Sequence, residues 1–240
     1  MCGRYSITTP PEAMARLFGL VGPTPNFPAR YNVAPTQEIP VIRYISGTPE
    51  FAQMRWGLVP SWSKQGSASK PLINARCESV DEKPSFRTAF KRRRCLMPAD
   101  GFYEWHRPED APKTPYNICR TDGGVFAMAG IWDVWTAPDG SELESCALIT
   151  THANDLMEPI HHRMPVILEP GDWEAWLSTD EADAASLKPL LVPAQSELFK
   201  AYSVSTKVNR VANQGPELIL PAPAQTASPT PSPTDQGSLF

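Results

Sequence analysis

Cys2 stands directly behind the initiator methionine in "MCGRYS". Methionine aminopeptidases remove Met1 when the next residue is small, so the mature chain would begin with a cysteine bearing both a free α-amine and a thiol. With reference pKa values of about 7.7–8.0 and about 8.5, both nucleophiles are available near neutral pH. Such an amine attacks an aldehyde to give an imine, and the neighbouring thiol can then close a five-membered thiazolidine. Cys2 also reads as a small, buried strand residue, and position alone favours that second reading.

Imine formation needs acid–base help, and few titratable groups sit in apolar, turn-like settings. Glu104 lies inside "GFYEWH", where flanking Tyr103 and Trp105 would desolvate the carboxylate and raise its pKa; an exposed place on an alternating strand is the plainer alternative. His161 and His162 lie inside "PIHHRMP". If that segment is extended the two point to opposite faces, so at most one serves a given site, and the absence of a third ligand makes a metal site unconvincing. In "INARCESV", Asn74 and Arg76 are same-face partners at strand spacing, able to offer an amide and a guanidinium to a phosphate or sugar. The run "KRRR" at Lys91 to Arg94 is the densest positive charge, though runs this short usually form a solvated face. Trp56 and Trp62 flank Pro60 and suit either a core or base stacking beside arginines.

Charge is unevenly spread. The net value is −4, but between Phe51 and Asp110 eleven Lys/Arg face seven Asp/Glu, whereas from Met164 onward four face nine. The middle of the chain can therefore meet phosphates although the whole is acidic. Five cysteines without regular spacing or a CxxC pair argue against both a disulfide framework and a zinc site. No apolar run approaches the roughly 20 residues needed to cross a bilayer, and the start lacks a basic-then-apolar leader. A soluble, cytoplasmic protein without membrane partner or cofactor is expected.

The elements that must position these groups are mostly short strands. "PEAMARLFG" over 11–19 predicts a helix with a glycine stop. "YNVAPTQEIPVIRY" places two prolines among β-branched residues and reads as extended chain with an edge strand. "FAQMRWGLVPSW" is a strand ending at a proline turn, and "SKQGSASKP" a polar loop. "CLMPADGFYEW" and "YNICRTDGGVFAMAGIWDVW" break at Asp-Gly pairs and suggest hairpins; "CALITT" and "RMPVIL" are further strands. "EPGDWEAWLS", with Asp172 as a candidate N-cap, and "DEADAASLKPLL" read as short helices. The pattern predicts a single α+β domain over 2–221, with mixed or antiparallel sheets curled into a barrel-like core and peripheral helices. The Pro/Ser/Thr-rich stretch 222–240 reads as a disordered tail.

Taken in order, "MCGRY", "RYNVAPTQ", "RWGLVPSW", "INARCESV", "ADGFYEW", "HHRMP" and "VSTKVNRVANQGPELI" resemble the SRAP family, the SOS-response-associated peptidase or abasic-site-processing proteins. The resemblance implies removal of Met1 and covalent joining of Cys2 to the ring-opened aldehyde of an abasic site in single-stranded DNA. That is a lyase-like crosslinking activity with autocatalytic peptidase release of Met1, acting as a monomer in the cytoplasm, nucleoid-associated if bacterial. It further implies that Asn74, Glu104 and His161 line the pocket with Cys2. Asn74 would hold the terminus and a sugar hydroxyl, Glu104 relay protons, and His161 assist as acid or base; Glu104 and His161 would also serve reversal of the crosslink. By the same resemblance Arg4, Arg76 and Arg163 lie near the DNA backbone, Pro35 and Trp62 near the bases, and Thr150 at the pocket. One departure is His162, since the residue after the motif histidine is commonly acidic in the family. Two alternatives remain open: a thiol peptidase acting in trans through Cys2, and a non-covalent single-strand binder.

Overall fold

Strands carry most of the regular structure. The computed structural model describes residues 2–64, 70–109, 111–178 and 186–223. In chain order they form β1 (Tyr5–Ile7), α1 (Pro11–Leu17), β2 (Arg30–Val33), β3 (Glu38–Ile45), β4 (Thr48–Trp56), β5 (Asn74–Arg76), α2 (Arg87–Arg92), β6 (Arg94–Ala99) and β7 (Gly101–His106). There follow β8 (Thr114–Arg120), β9 (Phe126–Thr136), β10 (Glu142–His152), β11 (Arg163–Pro165), β12 (Ile167–Leu168), α3 (Trp173–Leu177) and β13 (Phe199–Ser203).

Two sheets share these strands. One runs β13-β8-β7-β1-β2; the other runs β11-β10-β4-β3-β6-β9-β12, with β5 added beside β10. Because β9 pairs with both β6 and β10, the strands β10, β4, β3, β6 and β9 close into a ring. It is mixed, since β10 runs parallel to β4 while the ring's other pairings are antiparallel. The expected barrel-like α+β domain is thus observed. Val41, Met54, Trp56, Leu96 and Ile131 are among the buried residues of the main core, each such side chain contributing about 1.5–3 kcal/mol on leaving water. Among the described residues no helix is long and apolar enough to cross a membrane.

The Asp-Gly pairs behave differently from expectation. β6 and β7 lie in different sheets, as do β8 and β9, so Asp100-Gly101 and Asp122-Gly123 are corners between sheets rather than hairpin turns. Gly101 is there for close approach: a Cβ would sit 2.6 Å from Asn117 Oδ1 on β8. Asp100 accepts the Thr9 N–H at 3.0 Å and pins the corner to the loop before α1. The tight hairpin is β3–β4, where Ser46 and Gly47 have φ of 51° and 78°, the primed geometry that matches strand twist.

α1 ends at Leu17 with Gly19 at φ 63°, the expected glycine stop. β2 is an edge strand as expected, but β3 is interior. It tolerates Pro40 because its recorded pairing with β6 is confined to Ile42 and Leu96. Asp172 precedes α3 without a side-chain capping bond. The "KRRR" run is half structural. Buried Arg94 donates to the carbonyls of Phe90 and Lys91 at 2.8 Å and of Trp176 at 2.6 Å, tying α2 to α3, and Arg93 pairs with Asp133. Of "DEADAASLKPLL", residues 180–185 lie outside the described residues and Lys188–Leu190 is a 3-10 turn. Residues 65–69 of the polar loop and 224–240 of the expected tail also lie outside them.

Candidate functional site

Cys2 leads into β1, which runs between β7 and β2. Tyr5 pairs with Phe102 and Ser6 with Gly101, and the Tyr103 N–H donates to the Arg4 carbonyl at 3.0 Å. Continued by two residues, this antiparallel register sets Glu104 beside the Cys2–Gly3 end of the chain. The other sheet supplies the opposite wall. β5 lies parallel to Leu148–Thr150 of β10, and β11 pairs with Thr150–His152. From β5 the Asn74 amide reaches across and donates Nδ2–H to the Cys2 carbonyl at 2.9 Å. Its Oδ1 is buried and accepts no bond among the described residues. His161 precedes β11, where its Nδ1 accepts the Arg163 N–H at 3.0 Å. The proton of the neutral imidazole is thereby left on Nε2.

Burial and mutual charge set the chemistry of these groups. Burial, and next the Glu104 charge, push the fully buried Cys2 thiol far above its ordinary value. Burial raises the Glu104 carboxyl, opposed chiefly by the positive amino terminus. Burial, the amino terminus and the stacked ring of His162 lower His161 to about 4; the two ring centroids are 4.4 Å apart. The Glu104 charge acts on Cys2, and the Arg107 charge acts on both Glu104 and His161. The arrangement holds a protonated thiol, a carboxyl shifted towards neutrality and an uncharged imidazole whose proton is on Nε2. Among the described residues there is no group of three or more His, Cys, Asp or Glu that could hold a metal ion.

The residues expected near DNA fall into two sets. Arg76 is exposed on the far side of β5 from buried Ala75, with no hydrogen bond or ion pair among the described residues. Trp62 is 63 % exposed and, with Pro60, Lys64, Lys70 and Leu72, lines a groove of about 430 Å³. Pro35 forms a turn with Thr36, whose φ of 72° is unusual for a β-branched residue; the Thr36 N–H donates to the Trp56 carbonyl at 2.7 Å. Arg4, Arg163 and Thr150 are instead engaged by the protein. Arg163 is buried, pairs with Glu78, and donates to the Thr150 carbonyl at 2.6 Å and its Oγ1 at 3.3 Å. Thr150 is fully buried, and its hydroxyl donates to the Ala75 carbonyl at 3.3 Å. Arg4 donates to Asn32 and to the carbonyls of Val208 and Asn209. Sequence reasoning passed over Arg107, an exposed cation whose charge reaches both Glu104 and His161. Its only signal is its place two residues beyond the "GFYEW" motif.

Comparison with known proteins gives a consistent result. Residues 1–211 match the family model described as SOS response associated peptidase (SRAP). The abasic site processing protein YoqW of Bacillus subtilis is 39% identical over 221 residues, covering 91% of this chain and 99% of that one. The abasic site processing protein HMCES of Gallus gallus is 36% identical over 192 residues, covering 70% of this chain and 56% of that one. A crystal structure of a protein from Bacteroides thetaiotaomicron superimposes with a TM-score of 0.81 at 30% identity, covering 92% of this chain and all of that one.

Proposed function

The chain belongs to the SOS response associated peptidase family, and from that premise we propose that it captures abasic sites in single-stranded DNA through a processed Cys2. Relatives named abasic site processing proteins support the lesion; the bond from Asn74 to the Cys2 carbonyl is the observation that carries the residue assignment. Met1 is removed, with Glu104 and His161 assisting. The freed α-amine of Cys2 adds to the C1′ aldehyde of the ring-opened sugar, and water leaves to give an imine. The sulfur then bonds to that carbon, the C=N π bond breaks, and the S–H proton ends on nitrogen, closing a thiazolidine. Aldehyde, amine and thiol thus yield one ring and one water, without an oxidant or cofactor.

Each group has a task its surroundings suit. Asn74 holds the terminus through Nδ2, while its buried Oδ1, without a bond among the described residues, can accept from the freed Cys2 amine or a sugar hydroxyl. Glu104, raised by burial, gives and takes the protons of addition and dehydration. Neutral His161 offers Nε2–H to the departing oxygen. Arg76 and the Trp62 groove supply phosphate and base contacts. A trans-acting thiol peptidase would want a lowered thiol pKa, and burial and Glu104 move Cys2 the other way.

The test is denaturing electrophoresis after incubation with a single-stranded oligonucleotide carrying one abasic site. Wild type should give a denaturation-resistant band that Cys2→Ala, and a form retaining Met1, do not. A band that survives Cys2→Ala, or no band with wild type, overturns the crosslinking mechanism. Peptide turnover in trans would favour the peptidase.

A further inference from the structure

After β13 the chain does not leave the domain but returns across the β7-β1-β2 side of the smaller sheet. Val208 and Leu218 of this returning segment are fully buried against Tyr103, with Tyr31 and Trp105 packed beside them. Its polar bonds converge on β1 and β2. Asn32, itself fully buried, donates Nδ2–H to the carbonyls of Arg210 at 2.9 Å, Val208 at 3.1 Å and Asn213 at 3.2 Å. Arg4 donates Nη1–H to Asn32 Oδ1 at 2.9 Å and to the Val208 carbonyl at 2.8 Å, and Nη2–H to the Asn209 carbonyl at 3.3 Å.

Gln214 completes the set by imitating a strand. Its Oε1 accepts the N–H groups of Tyr31 at 3.0 Å and Asn32 at 3.1 Å, and its Nε2 donates to the Asn32 carbonyl at 3.0 Å. One side-chain amide thereby blunts the free edge of β2. Trp105, the neighbour of Glu104, adds an Nε1–H bond to Asn209 Oδ1 at 2.7 Å.

These bonds matter because β1 is a weak anchor on its own. It has three residues, and its pairing with β2 is irregular between Tyr5 and Ile7. Chain ends held so lightly fray unless something ties them down. Arg4 lies two residues from Cys2, and its carbonyl accepts from Tyr103, the residue before Glu104. Fixing Arg4 therefore fixes Cys2 against Glu104. We propose that Val204 to Leu220 is a clasp and that Arg4, Asn32 and Gln214 are positioning residues, holding the N-terminal nucleophile in register through protein contacts rather than by gripping DNA. This rests on the function proposed above, and it moves Arg4 from the DNA backbone to the support of the reacting end.

Two variants separate the alternatives: Arg4→Gln removes charge and clasp together, and Gln214→Ala loosens the clasp with no change of charge. Three quantities are read for each and for wild type. They are the single-turnover crosslinking rate at saturating abasic oligonucleotide, the salt dependence of binding to an oligonucleotide whose abasic sugar lacks the aldehyde, and hydrogen exchange of the peptide spanning residues 2–8. Small misplacements of reacting groups cost up to about 100-fold, so both variants should crosslink at least fivefold more slowly. The 2–8 peptide should exchange faster while β10 is unchanged, and the slope of log affinity against log salt should stay at the wild-type value. A phosphate contact by Arg4 would instead lower that slope by about 0.7 in Arg4→Gln. That result, a crosslinking loss below fivefold in Gln214→Ala, or unchanged exchange at residues 2–8 in both variants, overturns the clasp. A wild type that forms no crosslink would refute the proposed function, and hydrogen exchange would still decide the clasp.

Discussion

Replacing His162 by glutamate should move the titration of its neighbour upward. His161 is held at about 4, against an ordinary 6.5, by burial, the amino terminus, the His162 ring and Arg107. His162 is exposed, and its ring centroid lies 4.4 Å from that of His161. A carboxylate in that place, roughly 5 Å from the imidazole in a dielectric near that of water, stabilises the imidazolium by about 1 kcal/mol. That corresponds to roughly 0.7 pH unit, and removing the lowering effect of His162 adds in the same direction. In His162→Glu the His161 midpoint should therefore lie near 5, read from its Cε1–H resonance. If the neutral imidazole is the working form, the acid limb of the crosslinking rate should move up with it. Stability follows the same equilibrium. Between pH 6.5 and about 4 the unfolded chain binds a proton that the folded chain does not, so folding weakens as pH falls through that window, and the variant narrows it. A wild-type midpoint of 6 to 7, or a variant midpoint that falls or moves by less than about 0.3, would refute this electrostatic account.

Trp62→Ala should weaken binding to single-stranded DNA by about 1–3 kcal/mol if a base stacks on the exposed ring; fluorescence anisotropy with an aldehyde-free oligonucleotide measures it, and unchanged affinity excludes the stacking role. Arg163→Met should lower unfolding free energy at pH 7 by about 1–3 kcal/mol, because it strips bonds from buried Thr150 and the partner from Glu78. Arg163 holds the Glu78 carboxyl at about 2, so this contribution is complete above pH 4.5 and fades as pH falls towards 2. Urea unfolding at pH 7 and pH 3 should accordingly show a smaller gap between variant and wild type at pH 3, and an equal gap at both would rule out the ion pair as its source.

Residues whose role depends on their own type and neighbours were legible in the chain. The aromatic flanks of Glu104 announced a desolvated carboxyl, and the side chain is buried, which raises its carboxyl. The i, i+2 spacing of Asn74 and Arg76 placed them on one face of β5, with Ala75 buried on the other. Long-range partners were not legible. Asp100-Gly101 has the composition of a hairpin turn, yet it is a corner, because the decisive contact is with Asn117 on a strand sixteen residues further on. Nothing in the sequence around Arg4 and Arg163 sets them apart from Arg76; only the fold brings Val208, Asn209, Glu78 and Thr150 to their donors. A guanidinium carries the same charge whether it faces a phosphate or a carbonyl, so sequence cannot assign it.

The electrostatics of the site also bear on the order of bond making in the proposed reaction. A thiol kept protonated by burial and by Glu104 is a poor first nucleophile, so attack falls to the amine. Removal of Met1 places that amine on Cys2 itself, beside Glu104, whose carboxylate can take the ammonium proton and whose acid form can return one to the leaving oxygen. Once the imine exists, the retained S–H becomes useful. Ring closure needs a sulfur nucleophile and a proton on nitrogen, and the thiol supplies both. Features that would disable a cysteine peptidase thus suit a reaction in which sulfur acts second.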